Sequence, residues 1–524
     1  MTSSSTFSDR RALWAFILGV IAVTVGVLLH MPMFLMGRST HFHLYGMPMG
    51  ADMYIGMAAI VGGVAIAAYG LLPSNIANQR TAGASIVVAA PEDARLGLAH
   101  WWLMVVLVIA LVIDVMKPAA LGFAVPGMTG EYHVSKATAS LVAFFALVGT
   151  VVGSIVWGAL ADIYGRKATI LLSAVLFVGT AICGAMPSLA WNIFMCFMMG
   201  AAAGGMLPVT YALLAEMMPS RHRGWSLVLV GGLGAVGGYF AASGASALWQ
   251  STYSWRILFL LNLPTGLLLV VLGNFIPESA KFLIARGRAA EARQAMDRFG
   301  AVASKAPSPG AAHTGHGALK GVHLWGKLGA LSLVGICWGL INFGLLLWLP
   351  GNLQERGYSV AVASKLLAES AVIAFPTVFL CALIYTRWST KWSLVTMIGV
   401  TIAGLLLVLN LELSGGSPVL PVALLIVGSN GVLAILLPYC AESFPLRVRG
   451  RTTGWVAACT KAGGVGAQAL SITALVPPMA IVAVAIAVPT VIALALVGWF
   501  GMETRGRDLR VLDPDGHVFA ATGL

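Results

Sequence analysis

The chain has 524 residues, of which 59% are hydrophobic and only 10% charged, and its mean hydropathy is +0.90. That balance excludes a soluble arrangement of domains of this length and makes lipid the solvent for most of the chain. The formal charge of +12 is read as a topology signal, because cytoplasmic loops retain Lys and Arg, and not as a nucleic-acid footprint.

A helix that crosses the hydrocarbon core takes about 20 mostly apolar residues, since no water is present there to satisfy an unpaired backbone group. Fourteen such runs follow one another: 13–35, 53–72, 101–126, 139–160, 169–186, 192–216, 225–247, 257–276, 324–349, 366–386, 392–413, 419–439, 453–474 and 478–500. They lack the alternating pattern of about ten residues that marks an outer-membrane barrel. The first run follows Arg10 and Arg11, as in a signal peptide, but it is too long and no small-residue cleavage site follows, so it reads as an uncleaved anchor.

Polar stretches divide the runs. Residues 73–95 join the first two to the rest, and 277–323, with a helical pattern at 289–299, separate two groups of six. The expected organisation is 1–98 as two extra N-terminal transmembrane helices with a linker, 99–276 as a six-helix bundle, 277–323 as a cytoplasmic loop, 324–502 as a second six-helix bundle, and 503–524 as a cytoplasmic tail. With the N-terminus inside, the inner loops collect Arg80, Arg95, Arg166, Lys167, Arg221, Arg223, Arg387, Lys391, Arg447, Arg449 and Arg451, whereas the outer side keeps Arg38, Lys136, Arg256, Arg356 and Lys365. This asymmetry predicts a multi-pass protein of a bacterial inner membrane with both termini cytoplasmic. The six cysteines lie in or beside the runs, show no close pairs or metal-ligand spacing, and read as small packing residues.

Between the fourth and fifth runs, Gly158, Leu160, Ala161, Asp162, Gly165, Arg166 and Lys167 spell G-x-L-A-D-x-x-G-R-K. Glycines permit a tight turn there, and a carboxylate beside helix N-termini and an arginine can lock two bundles until charges rearrange. This loop resembles the signature of the major facilitator superfamily. Ala215, Glu216, Pro219, Arg221, Arg223 and Gly224, with Pro277, Glu278 and Ser279, resemble loops of its sugar-porter and metabolite–proton symporter branch. Ala441, Glu442, Phe444, Pro445, Arg447 and Arg449 resemble the repeat of the first of these in the second half, and Glu503, Thr504, Arg505 and Gly506 the end of that half, with Met502 in place of proline. Together these matches cover about residues 100–510.

The resemblance implies an all-α membrane protein of the major facilitator fold, two six-helix bundles here preceded by two extra helices, fourteen in total. It implies a secondary transporter and not an enzyme, needing no cofactor beyond a proton gradient and working as a monomer in the bilayer on a small-molecule substrate. It also implies a cytoplasmic latch between the bundles, comprising Asp162, Arg166, Glu216, Arg223, Glu278, Glu442, Arg449 and Glu503. The second copy of the signature loop, Tyr385 to Lys391, lacks the aspartate and glycines, so the latch is expected to be stronger under the first half.

Ionisable residues within a span are costly and mark function. Asp114 and Lys117 stand three apart on one helix face. Relatives often carry a protonating aspartate on this helix, which makes Asp114 the candidate proton carrier and Lys117 its charge partner. The arginine that sugar porters carry on the fourth core helix is replaced by Cys196. Lys461, among Gly463, Gly464 and Gly466, brings a second cation from the opposite half, and two lysines at a midplane cavity suit an organic anion. Asn342, Trp338, Tyr211, Tyr239 and Gln468 are candidates for the cavity lining. The paired glutamines of hexose carriers are absent, as is the G-P step of drug–proton antiporters, which favours symport of an organic anion or similar metabolite.

Two other readings remain open. One is proton-driven efflux of a drug or metabolite. The other is copper handling, because Met31, Met33, Met36, His41, His43, Met47, Met49 and Met53 gather at the outer ends of the first two runs and thioethers and imidazoles suit copper; no strict ligand spacing supports a metal site there.

Overall fold

The computed structural model describes residues 10–72, 86–89, 95–278, 280–285, 287–300, 302–305, 321–348, 360–414, 419–444, 449–473 and 477–505. Hydrocarbon leaves the backbone no partner but itself, so the described chain is almost wholly helical. The first two helices, α1 (Arg10–Leu28) and α2 (Ala51–Leu71), form a hairpin. Its contact runs through glycines. A Cβ at Gly19 would lie 2.6 Å from Gly63 O, and one at Gly26 would lie 2.6 Å from Gly56 O, so the two backbones touch as small-residue packing in membranes allows.

This hairpin rests on one helix of the first group of six. That group comprises α3 (Leu98–Tyr132), α4 (Lys136–Tyr164), α5 (Arg166–Gly179), the span built of α6 (Leu189–Ala203) and α7 (Met206–Met217), α8 (Ser220–Ala245) and α9 (Asn262–Leu272). The helix under the hairpin is α5. Gly165, with φ at +97°, makes the turn from α4 into α5 that the signature loop requires. A short amphipathic helix, α10 (Ala289–Phe299), is closed by Gly300 in the left-handed conformation. Strands Ile86–Ala89 and Val302–Lys305 pair antiparallel, joining the segment before α3 to the central loop.

The second group is α11 (Gly321–Leu340), α12 (Val360–Arg387), α13 (Thr390–Ser414), α14 (Val419–Ser443), α15 (Arg449–Ile472) and α16 (Met479–Phe500). Among the described residues, twelve helical segments are long and apolar enough to cross a membrane, including α1 and α2. Two of the fourteen expected runs are not in that set. They are α15, which carries Arg449, Arg451, Lys461 and Gln468, and α12, of which the shorter apolar stretch Phe375–Arg387 is found among the described residues. The halves meet along α4 and α15 and along α8 against α12 and α14. Near the signature-loop end, Gly224 of α8 comes against the Tyr385 ring and Glu442 of the other half.

Candidate functional site

Asp114 and Lys117 sit near the middle of α3, one turn apart and both buried. The Lys117 ammonium lies on the face of the Phe177 ring from α5, a cation–π contact in an apolar setting. Asp114 and Lys117 form no direct ion pair, and Asp114 Oδ1 and Lys117 Nζ each lack a hydrogen-bond partner among the described residues. Asp114 does lie within electrostatic reach of both Lys117 and Lys461. The two lysines of the sequence reading therefore address one carboxylate, from opposite halves of the chain.

Lys461 is half-buried on α15. Its Nζ stands 5.4 Å from the Trp338 ring and 5.2 Å from the Phe343 ring, which meet edge to face at 5.8 Å and 86°. Glycines bring α11 and α15 close enough for this. A Cβ at Gly464 would lie 2.6 Å from Phe343 Cδ2, and those at Gly339 and Gly463 would collide with backbone carbonyls of the facing helix. Trp338 donates its indole N–H to Ser429 O at 2.8 Å, so its orientation is fixed from behind.

The remaining lining candidates divide. Asn342 is half-buried on the π-helical turn Ile341–Leu345 and donates to Trp338 O at 3.0 Å. Gln468 is buried and donates to Phe343 O at 2.5 Å. Tyr211 packs in the main apolar core with its hydroxyl against Gly231. Tyr239 is 37% exposed and tilts against Phe123, 6.1 Å away. Cys196, the position without its arginine, is buried in the same apolar cluster as Cys183.

Of the latch residues, the side chains of Asp162, Glu216 and Arg449 lie outside the described residues. Arg166 donates to Ala161 O at 2.8 Å, bracing the signature turn, and Arg223 is buried. The described hydrogen bonds of the acids stay within their own halves. Glu278 accepts from Lys167 N at 3.3 Å, at the start of α5. Glu503 accepts from Ser389 Oγ, from Thr390 N at 3.0 Å and from Thr390 Oγ1 at 2.6 Å, at the start of α13. Glu442 accepts from Tyr385 Oη at 2.6 Å and Thr504 Oγ1 at 3.1 Å, next to Gly224 of the other half.

One buried network was not foreseen. Glu131, at the end of α3, pairs with Arg256 at 2.6 Å with both side chains essentially inaccessible. The same carboxylate accepts from Leu44 N at 2.7 Å, Tyr45 N at 3.2 Å and Trp255 Nε1 at 3.0 Å. Arg256 in turn donates to Gly184 O and Met186 O. The α1–α2 loop is thereby fastened to the first half. The nearby methionines pack: Met33 and Met53 are buried in an apolar cluster that Met47 and Met49 flank. No metal-holding group of three His, Cys, Asp or Glu occurs among the described residues. An apolar groove of about 430 Å³ runs between α13 and α16, and a void of about 10 Å³ lies beneath Trp338. Neither borders Asp114 or Lys461.

Comparison with known proteins fits this geometry. The sequence profile described as Major Facilitator Superfamily matches residues 103–468. The niacin transporter NiaP of Acinetobacter baylyi is 25% identical over 403 residues, 73% of this chain and 88% of that protein. The benzoate transport protein of the same organism is 24% identical over 384 residues, 70% and 81% of the two. Among solved structures, the proton:xylose symporter XylE of E. coli, bound to 6-bromo-6-deoxy-D-glucose, matches with a TM-score of 0.64 at 17% identity, over 79% of this chain and 98% of that one. That likeness speaks for the fold. With the profile spanning well over half of its length, the chain belongs to the major facilitator superfamily and is a membrane transporter.

Proposed function

We propose that this transporter imports a small aromatic carboxylate together with a proton across a bacterial inner membrane, with both termini in the cytoplasm. The observation that carries this reading is the placement of Lys461 in an aromatic corner of one half, within electrostatic reach of Asp114 in the other. A carboxylate substrate would meet the ammonium, and its ring the flat faces of Trp338 and Phe343. Relatives named for niacin and benzoate transport support that substrate class.

Coupling follows from charge. While Asp114 is ionised it competes with the substrate for the lysines, so the empty site favours the lysine–aspartate pairing. Protonation of Asp114 removes the competing anion and leaves the two cations to take up the substrate carboxylate. Loss of the proton on the inner side restores the competition and expels the substrate. Asp162, Arg166, Glu216, Arg223, Glu278, Glu442, Arg449 and Glu503 would hold the inner ends of the helices while the outer side is open.

Proteoliposomes containing the protein should accumulate radiolabelled benzoate or nicotinate under an inward proton gradient. Asp114→Asn should lose gradient-driven accumulation while retaining counterflow exchange. Accumulation by Asp114→Asn at the wild-type level removes the proton carrier, and benzoate leaving against an inward gradient establishes antiport instead.

A further inference from the structure

Lys461, Gly464 and Gln468 fall at positions i, i+3 and i+7 of α15, on one face of the helix. All three address a single residue of the facing helix. The Lys461 ammonium lies 5.2 Å from the Phe343 ring. Gly464 leaves the space that this ring fills, since a Cβ there would be 2.6 Å from Phe343 Cδ2. Gln468 reaches the backbone of the same residue, donating from Nε2 to Phe343 O at 2.5 Å.

Phe343 belongs to an irregular stretch of backbone. It lies in the π-helical turn Ile341–Leu345, where the i→i+5 pattern disturbs the regular pairing of carbonyls. Two side-chain amides enter the gap: Asn342 takes Trp338 O at 3.0 Å, and Gln468 takes Phe343 O. Gln468 is 2% exposed. Its amide N–H is therefore engaged with protein and not presented to a chamber, which differs from a direct ligand role.

We propose that Gln468 is a positioning residue: by holding the π-helical turn it sets the Phe343 ring against Lys461 and so determines selectivity for flat aromatic carboxylates over saturated ones of the same size. This rests on the aromatic-carboxylate reading above. The carboxylate of either substrate pairs with Lys461, but only a planar ring exploits the right-angled corner of Phe343 and Trp338. Displacing Phe343 thus removes ring recognition and leaves charge recognition in place.

The test compares benzoate with cyclohexanecarboxylate in the reconstituted full-length protein. Gln468→Met keeps the side-chain length and removes every N–H and O–H donor. The KM for benzoate should rise about two- to twelvefold, the worth of an aromatic pair, with kcat unchanged and the KM for cyclohexanecarboxylate unmoved. Phe343→Leu should produce the same shift in the ratio, and the double variant no more than either single one, because both act through one ring. Equal losses for the two substrates, additive effects in the double variant, or an unchanged ratio in both single variants would each overturn the proposal. Should Gln468→Met not fold, Gln468→Leu takes its place in the same comparison, and Phe343→Leu decides independently whether the corner reads planarity. Failure of the underlying reading looks different: the wild-type protein would bind neither carboxylate, or Lys461→Met would leave uptake of both intact.

Discussion

Replacing Glu131 by Gln tests whether the α1–α2 hairpin is integral to the first half. The Glu131 carboxylate holds Arg256 at 2.6 Å and three N–H donors, from Leu44, Tyr45 and Trp255, between 2.7 and 3.2 Å. Glutamine retains one acceptor oxygen but no charge. Hydrogen bonds to a charged group contribute about 1.5–3 kcal/mol and neutral ones about 0.5–1.5, so the three N–H contacts together lose on the order of 3 kcal/mol. Arg256, wholly buried, is left without its anion, and breaking such a pair costs about 3–5 kcal/mol. These figures overlap because they count part of the same loss, and the expected destabilisation is about 3–5 kcal/mol. Unfolding in mixed micelles of rising SDS content, followed by tryptophan emission, reads it directly. Arg256→Met in the Glu131→Gln background should recover part of the loss by removing the orphaned charge. A Glu131→Gln protein within about 0.5 kcal/mol of wild type, the worth of a surface pair, would show that the network does not fasten the α1–α2 loop.

Two more outcomes follow from the geometry. Gly231→Ala places a methyl against the Tyr211 hydroxyl and should destabilise by about 1–3 kcal/mol; Tyr211→Phe in that background should restore most of it in the same unfolding assay, and no rescue would mean that the clash lies elsewhere. At Glu503, burial alone would raise the carboxyl pKa, but the bonds from Ser389, Thr390 and the Arg505 backbone prevail and hold it below the ordinary value. A carboxylate lowered on folding stabilises above its unfolded pKa, about 4.3, and that contribution is lost as pH falls through the folded value. The melting-temperature gap between wild type and Glu503→Gln should thus be present at neutral pH and close below about pH 4, whereas a pH-independent gap contradicts the anchor.

Much of the fold was legible because lipid makes hydropathy decisive: a run of twenty apolar residues has few alternatives to a helix. Glycine at 165 and the charged signature around it marked the α4–α5 turn for the same local reason. The glycines at 56, 63 and 70 on α2 were equally visible, spaced by seven, yet their role as the seam against α1 needs the partner helix. Asp114, Lys117 and Lys461 could be selected as intramembrane charges, but their mutual reach depends on tertiary contact between halves. Arg256 was read only as a solvated charge of the outer side and Glu131 was not singled out, because each lies just outside an apolar run, where a charge is ordinarily solvated, and 125 residues separate them. Gln468 was legible as a polar residue in a span. That its donor faces a carbonyl of α11 depends on a π-helical turn, for which the sequence has no local signature.

The acids at the ends of the two halves show why motif decay is a poor guide to lost contact. Glu278 lies beside the backbone N–H of Lys167 only because Gly165 has no side chain; a Cβ there would lie 2.7 Å from its Oε1. The first-half anchor therefore depends on a motif glycine. In the second half the aspartate and glycines are gone, yet Glu503 occupies the corresponding place at the start of α13, held by Thr390 N and the Ser389 and Thr390 hydroxyls. Thr390 also accepts from Thr504 N at 3.0 Å, fixing the residue after the acid. A helix N-terminus attracts a carboxylate whatever residues surround it, so hydroxyls can take over from the signature loop. The two ends nevertheless differ physically: one anchor rests on a backbone conformation that tolerates no side chain, the other on side-chain hydroxyls that can exchange partners. If bundle movement releases these anchors, the second half is the one with alternative partners at hand.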